Sequence, residues 1–164
     1  MSAETEKLAA AVLATCRGKK LKIVTAESCT GGLIAANLTA IAGSSDVVER
    51  GFVTYTNEAK TEMLGVPAPL FSSGSVGAVS EEVARAMAEG ALKHSRADIA
   101  VSVTGIAGPG GETPGKPVGL VHLAAARKGG KVIHERHVFK GNRGEVREQS
   151  VRVALHLILR QAES

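Results

Sequence analysis

A hydroxyl-rich turn follows the first strand-like segment of the chain. Residues 25–32 (TAESCTGG) come directly after the mainly apolar residues 21–24 and precede a segment with helical periodicity. At a strand-to-helix turn, free backbone N–H groups and the positive end of the helix dipole favour an oxyanion or a phosphate. The hydroxyl groups of Ser28 and Thr30 stand beside them. The pattern indicates either a catalytic or anion-binding turn, or a helix N-cap followed by glycines that allow close packing.

Tyr55 and Lys60 form a second group of reactive side chains. Tyr55 ends a predicted strand, and Lys60 lies in the first turn of the helix predicted to follow it. A cation at a helix N-terminus is electrostatically unfavourable, and partial burial also disfavours its charged form. Both effects lower a lysine pKa from its usual value of about 10.4. Lys60 is therefore a candidate base for a serine proton, and the alternative is a solvated lysine without a catalytic role.

A glycine-rich loop begins at Thr104, after another apolar run. Residues 104–111 (TGIAGPGG) include Gly105 and Gly108, and glycines allow a backbone to approach a ligand closely. The loop lacks the Gly-Lys-Ser/Thr of a Walker motif and the glycine order of a dinucleotide fingerprint. By itself, it indicates either a ligand-binding wall or an ordinary long loop.

Two arginines begin the last predicted helix. Arg143 and Arg147 are one helical turn apart, so their side chains share one face of that helix. Guanidinium groups bind phosphate bidentately, which makes the pair a candidate phosphate clamp. A solvated helix face explains the same spacing.

These four stretches are separated by elements of regular periodicity. Helices are predicted at residues 4–16, 31–41, 57–65, 80–94 and 145–162, and strands at 21–25, 51–56, 99–103, 118–126 and 131–139. Asn57 and Ser80 are predicted helix caps, and the last two strands flank Gly129 and Gly130 as an antiparallel hairpin.

The element order predicts a single α/β domain over residues 1–164. We expect a three-layer α/β/α sandwich around a mixed sheet of about five strands. Ligands bind such sheets at the carboxyl ends of the strands. The loops that hold Ser28, Tyr55 and Thr104 all leave strands in this way, so we expect them to form one site.

Composition limits the partners. Residues 1–7 are polar and no apolar run approaches the roughly 20 residues that span a bilayer, so we expect a cytoplasmic protein that does not contact membranes. The formal net charge of +4 suits a small anionic substrate. Trp is absent and only one Tyr and three Phe are present, which disfavours base stacking and a nucleic-acid partner.

Cysteine and histidine usage limits the chemistry. The two cysteines, Cys16 and Cys29, have no metal-ligand spacing and are expected to be reduced thiols, and Cys29 is a rival nucleophile beside Ser28. The five histidines are scattered, and none lies in the three strand-end loops. We therefore expect no metal site, and lysine is better placed than histidine to act as the base.

Together, the four stretches resemble the CinA C-terminal domain family, whose members include nicotinamide mononucleotide deamidases. The resemblance covers nearly the whole chain and rests on several motifs in the same order. It implies hydrolysis of the carboxamide of nicotinamide mononucleotide to give nicotinate mononucleotide and ammonia, in pyridine nucleotide recycling. Ser28 resembles the family nucleophile, Lys60 its base and Tyr55 a hydroxyl that assists proton transfer.

The mechanism that we predict from this resemblance is acyl transfer without a metal or organic cofactor. Backbone N–H groups of Thr30, Gly31 and Gly32 would hold the oxyanion. The ribose phosphate would be held by the loop residues Thr104, Gly105 and Gly108 and by the helix residues Arg143 and Arg147. The resemblance also implies a homodimer. Two alternatives stay open, namely a catalytically silent nucleotide-binding module and a hydrolase of a different amide.

Overall fold

The computed structural model describes residues 1–164 and is built on a five-stranded mixed sheet in the order β2-β1-β3-β4-β5. Strands β1 (Ile23–Glu27), β2 (Val48–Val53) and β3 (Ile99–Gly105) are parallel to one another, whereas β4 (Leu120–Arg127) and β5 (Val132–Val138) continue the sheet as antiparallel neighbours. With helices packed on both faces, this arrangement confirms the predicted three-layer α/β/α sandwich.

Six α-helices and a short 3-10 helix (Ser44–Asp46) connect the strands. One face of the sheet is covered by α1 (Ala3–Lys19), α2 (Leu33–Thr39) and α6 (Arg143–Glu163), and the other by α3 (Asn57–Leu64), α4 (Pro69–Ser72) and α5 (Glu81–Lys93). None of these helices combines the length and the apolar character needed to cross a bilayer.

The apolar run in β3 is explained by the helices on both of its faces. Successive strand side chains point to opposite faces of a sheet. Ile99, Val101 and Val103 accordingly pack in the core beneath α1, α2 and α6, whereas Ala100 packs in the core beneath α5. Both faces of the strand are therefore buried, and the polar Ser102 beneath α5 donates its hydroxyl to a backbone carbonyl of that helix at 2.6 Å.

Several element boundaries differ from those predicted. Helix α2 begins at Leu33 rather than at residue 31, because Gly31 and Gly32 have positive φ values of 57° and 107° that interrupt the helix. The N-cap of α3 is Thr56 rather than Asn57, since Thr56 Oγ1 accepts a hydrogen bond of 3.0 Å from the Ala59 amide.

Strand β2 also lies earlier in the sequence than predicted. It covers Val48–Val53 rather than residues 51–56, because its parallel pairing with β1 begins at Ile23 and ends where Glu27 pairs with Val53. Tyr55 is therefore in the loop after the strand. The carboxyl ends of β1, β2 and β3 meet at one sheet edge, and this edge positions the candidate site.

Candidate active site

Lys60 and Ser28 are in direct contact at this sheet edge. Lys60 Nζ lies 2.9 Å from Ser28 Oγ, although the residues belong to different loop–helix connections. Only 1% of the Lys60 surface is exposed, and burial lowers the pKa of its amine to about 8. About a tenth of the amine is therefore neutral at pH 7 and about half at pH 8, and a neutral amine within hydrogen-bond reach of a hydroxyl can act as its general base.

Two backbone carbonyls set the direction of the Lys60 lone pair. Lys60 Nζ also lies 3.0 Å from the Thr54 carbonyl oxygen and 3.3 Å from that of Tyr55. A neutral amine has two N–H groups and one lone pair. When the two N–H groups donate to the two carbonyls, the lone pair is left to accept the proton of Ser28.

The local fold explains why Lys60 reaches this position. Side chains on a helix point back toward its N-terminus. Lys60 is in the first turn of α3, so its long side chain extends toward the loop that precedes the helix and toward the end of β1. The Ser28 amide donates to the Val103 carbonyl at 3.1 Å, and the Thr54 amide donates to the Glu27 carbonyl at 2.9 Å. The first bond ties the Ser28 turn to β3, and the second joins the loop before α3 to the end of β1.

Glu27 organises the turn that carries Ser28, a role that sequence reasoning missed. Its carboxylate is 1% exposed. Oε1 accepts hydrogen bonds from the Thr30 hydroxyl at 2.6 Å and the Ile34 amide at 2.9 Å, and Oε2 accepts one from the Ala35 amide at 3.1 Å. A carboxylate at a helix N-terminus is electrostatically favourable. The available signal was an acidic residue that ends an otherwise apolar strand.

The backbone N–H groups of the turn are only partly used. The Gly31 amide donates to the Ser28 carbonyl at 3.0 Å, and the Leu33 amide donates to the Thr30 carbonyl at 2.9 Å. The amides of Cys29, Thr30 and Gly32 have no acceptor in the protein. Of the three predicted oxyanion donors, Thr30 and Gly32 therefore keep a free N–H group, whereas the N–H group of Gly31 is already bonded.

The two arginines of α6 have different partners. Arg147 donates from Nε to the Cys29 carbonyl at 3.2 Å and from Nη2 to the Thr30 carbonyl at 3.0 Å. Arg143 donates to the Gly108 carbonyl at 2.9 Å and to the Tyr55 hydroxyl at 3.2 Å. Arg147 thus holds the turn that carries Ser28 against α6, and Arg143 joins the glycine-rich loop to Tyr55.

A cavity of about 300 Å³ opens above the Lys60–Ser28 pair. Seven of the predicted site residues line it, namely Ser28, Tyr55, Lys60, Thr104, Gly105, Gly108 and Arg143. Four others do not, namely Thr30, Gly31, Gly32 and Arg147. The remaining lining includes Asn57, Ala78, Val79 and Ile106, which were not among the predicted site residues. The cavity thus brings a hydroxyl, an amine, a phenol and a guanidinium together.

Cys29 is less suited to nucleophilic attack than its neighbour. Cys29 lines the cavity, but burial, together with the nearby Glu27 charge, raises the pKa of its thiol to about 12. The thiolate is the reactive form of cysteine, so this thiol is inert near pH 7. The amine of Lys60, the candidate base, hydrogen-bonds instead to the hydroxyl of the neighbouring Ser28.

No histidine lines the cavity. His122 and His134 form a hydrogen bond of 2.9 Å on β4 and β5, and His137 pairs with Glu135 at 2.7 Å. Lys60 is therefore the ionisable group placed to accept a proton from Ser28.

A family model, curated relatives and solved structures all point to one protein family. The family model of the CinA C-terminal domain matches residues 5–162. A CinA-like protein of Mycolicibacterium gilvum is 55% identical over 138 residues, and a CinA-like protein of Akkermansia muciniphila is 52% identical over 145 residues. These alignments cover 84% and 88% of this chain but 32% and 34% of the relatives. The chain thus spans about a third of the length of the curated relatives that it matches.

Solved structures show the same similarity over the full fold. The competence/damage inducible protein CihA from Agrobacterium tumefaciens superposes with a TM-score of 0.95 at 50% identity, covering 98% of this chain and 97% of that protein. A competence-damaged protein (CinA) superfamily protein from Klebsiella pneumoniae superposes with a TM-score of 0.90 at 35% identity, covering 97% and 98% of the two chains.

Proposed function

This chain belongs to the CinA C-terminal domain family, and we propose that it hydrolyses the amide of nicotinamide mononucleotide to nicotinate mononucleotide and ammonia. One observation carries the proposal: the buried amine of Lys60 lies 2.9 Å from Ser28 Oγ at the base of a cavity. Amide hydrolysis through an acyl-enzyme needs a serine and a base at this separation.

In the proposed acylation step, neutral Lys60 accepts the Ser28 proton while Ser28 Oγ attacks the amide carbon. A carbon–oxygen bond forms, and the carbonyl oxygen becomes an oxyanion. Thr30 and Gly32 do not line the cavity, so the proposed donor to this oxyanion is the unbonded N–H group of Cys29, which does line it. A preorganised donor of this kind contributes on the order of 3 kcal/mol to transition-state stabilisation.

Collapse of the intermediate then breaks the carbon–nitrogen bond. The leaving nitrogen takes a proton from the Lys60 ammonium, or from the Tyr55 hydroxyl, and departs as ammonia. Water attacks the resulting ester with Lys60 again as the base, and Ser28 recovers its proton as nicotinate leaves. Arg143 orients the Tyr55 phenol through their 3.2 Å hydrogen bond. The scheme requires no metal or organic cofactor.

The proposed substrate is a small nucleotide, which agrees with the positive cavity lining. Thr104, Gly105 and Gly108 line the cavity and would contact the ribose, and the exposed Arg143 adds a cation at its rim. The expected homodimer and the cytoplasmic location remain predictions.

The first experiment measures ammonia release from nicotinamide mononucleotide by the purified protein in the presence of a chelator. Ser28→Ala and Lys60→Ala are measured beside the wild type. Turnover by the wild type alone supports a metal-independent amidohydrolase. Nucleotide binding without turnover in any of the three proteins identifies a silent binding module, and turnover of other amides in its place redirects the substrate assignment.

A further inference from the structure

A second cavity adjoins the catalytic one. It measures about 520 Å³ and shares Ala78, Val79, Ile106 and Gly111 with the lining of the first. The two spaces are therefore neighbours along one continuous wall. A ligand whose reacting group lies at Ser28 can extend past this wall into the second cavity.

The second cavity has the lining of an anion site. Its only ionisable side chain is that of Lys116, and hydroxyl groups come from Ser72, Ser73 and Thr113. No carboxylate lines it. An ammonium group has three hydrogen-bond donors, and Lys116 Nζ donates one hydrogen bond to the Val76 carbonyl. The other donors have no partner in the protein and can bind a ligand oxygen.

The backbone around Lys116 is held in place. The Thr113 and Lys116 backbones exchange hydrogen bonds of 3.0 and 2.8 Å, which close a tight turn. Across the cavity, Gly77 has a φ of +65°, and a Cβ there would lie 3.2 Å from Lys116 Nζ. The glycine allows the loop to approach the ammonium closely. The cation is thus positioned by two loops rather than extended into solvent.

We propose that this second cavity is the phosphate subsite of the enzyme, with Lys116 as the cation that binds the phosphate. The assignment rests on the proposed function. The amide and the phosphate of the mononucleotide lie at opposite ends of the molecule. Arg143 hydrogen-bonds to Tyr55 and lines the catalytic cavity, so it lies at the reacting end. Lys116 lines only the second cavity, beyond the shared wall.

The kinetic test compares nicotinamide mononucleotide with nicotinamide riboside, which is the same molecule without its phosphate. Lys116→Gln should raise KM for the mononucleotide about tenfold, because one charged contact is lost, while kcat/KM for the riboside changes less than twofold. Lys116→Arg keeps the charge and should restore most of the preference. Arg143→Gln is the matched control and should lower kcat/KM for both substrates by similar factors.

Two kinetic results would overturn the assignment. Lys116→Gln could affect both substrates equally, which would make Lys116 a structural residue that only fastens the loop at Val76. Alternatively, Arg143→Gln alone could abolish the preference for the phosphorylated substrate, which would place the phosphate at the rim.

A binding measurement separates this proposal from the proposed reaction. Thermal unfolding is followed with inorganic phosphate, ribose 5-phosphate or chloride at equal ionic strength. Both phosphates should raise the wild-type Tm relative to chloride, and Lys116→Gln should lose this shift while retaining its own Tm in chloride. This result supports the subsite even if no amide is hydrolysed. A phosphate shift of equal size in wild type and Lys116→Gln rejects it.

Discussion

Lys60 Nζ and Ser28 Oγ are 2.9 Å apart and both residues are buried, so this contact couples the charge state of one residue to the reactivity of the other. Burial shifts the Lys60 pKa down to about 8, so the amine is available as a base close to neutral pH. The Thr54 and Tyr55 carbonyls orient the same nitrogen. Both the rate of hydrolysis and the free energy of unfolding should therefore depend on whether the Lys60 amine is protonated.

The first prediction concerns the pH dependence of hydrolysis. The base form of Lys60 is the active one, so kcat/KM should rise about tenfold per pH unit below about 8 and level off above it. Lys60→Arg should be inactive at every pH, because a guanidinium does not deprotonate in this range. Steady-state rates between pH 6 and 10 test this. A flat profile across that range would exclude Lys60 as the titrating base.

The second prediction concerns stability. The folded-state pKa of Lys60 lies below its unfolded value of 10.5, so the unfolded chain binds more protons between about pH 8 and 10.5, and stability rises with pH in that window. Below pH 8 the burial cost is fully present, on the order of 3 kcal/mol. Lys60→Met should therefore stabilise the protein at pH 7 and by less at pH 10.

Urea unfolding at the two pH values measures the effect of Lys60→Met. Lys93→Met, at an exposed position on α5, is the matched control and should change little at either pH. A Lys60→Met protein whose stability gain is larger at pH 10 than at pH 7 would contradict the assigned direction of the pKa shift.

The third prediction separates the two candidate nucleophiles. Ser28→Ala should reduce ammonia release to background, whereas Cys29→Ala should keep kcat within a few-fold of wild type, because the Cys29 thiol is buried and its pKa is raised to about 12. Trapping the acyl-enzyme and mapping it by mass spectrometry should place the adduct on residue 28. Loss of activity in Cys29→Ala, with Ser28→Ala still active, would reverse the assignment.

The fourth prediction concerns Glu27. Its carboxylate accepts three hydrogen bonds, one from a hydroxyl and two from backbone amides. In glutamine an NH₂ group replaces one carboxylate oxygen, so an N–H donor would face another donor. Glu27→Gln should lower the free energy of unfolding by about 2 to 3 kcal/mol and also reduce kcat. Glu62→Gln, on the exposed side of α3, is the control and should change stability by less than about 0.5 kcal/mol. Equal unfolding midpoints for the two variants would refute the structural role of Glu27.

The fifth prediction concerns Arg147. Its guanidinium bridges the carbonyls of Cys29 and Thr30, so it positions the turn rather than the substrate. The contact uses two separate nitrogens, Nε and Nη2, which the single nitrogen of a lysine does not supply, so Arg147→Lys should lower kcat about tenfold with little change in KM. Arg152→Lys, on the same helix without a side-chain hydrogen bond, should match wild type. A rise in KM at constant kcat would instead support the phosphate clamp expected from the sequence.

Much of the fold follows from local patterns. The apolar run in β3, the Ser80 cap of α5 and the hairpin around Gly129 and Gly130 are encoded in neighbouring residues, and the structure contains each of them. The predicted limits of β2 lie later in the sequence than the observed ones. The observed limits are set by pairing with β1, and this pairing joins residues that are distant in the chain.

Periodicity, turn chemistry and motif order are properties of the chain, so the α/β class, the family and the candidate site residues can be inferred from the sequence alone. The partners of those residues depend on how the elements pack. Ser28 meets Lys60 because β1 and β2 are parallel neighbours, and Arg147 binds backbone carbonyls because α6 packs beside the turn that carries Ser28. The spacing of residues along the sequence does not reveal such contacts, because they arise from the packing of elements far apart in the chain.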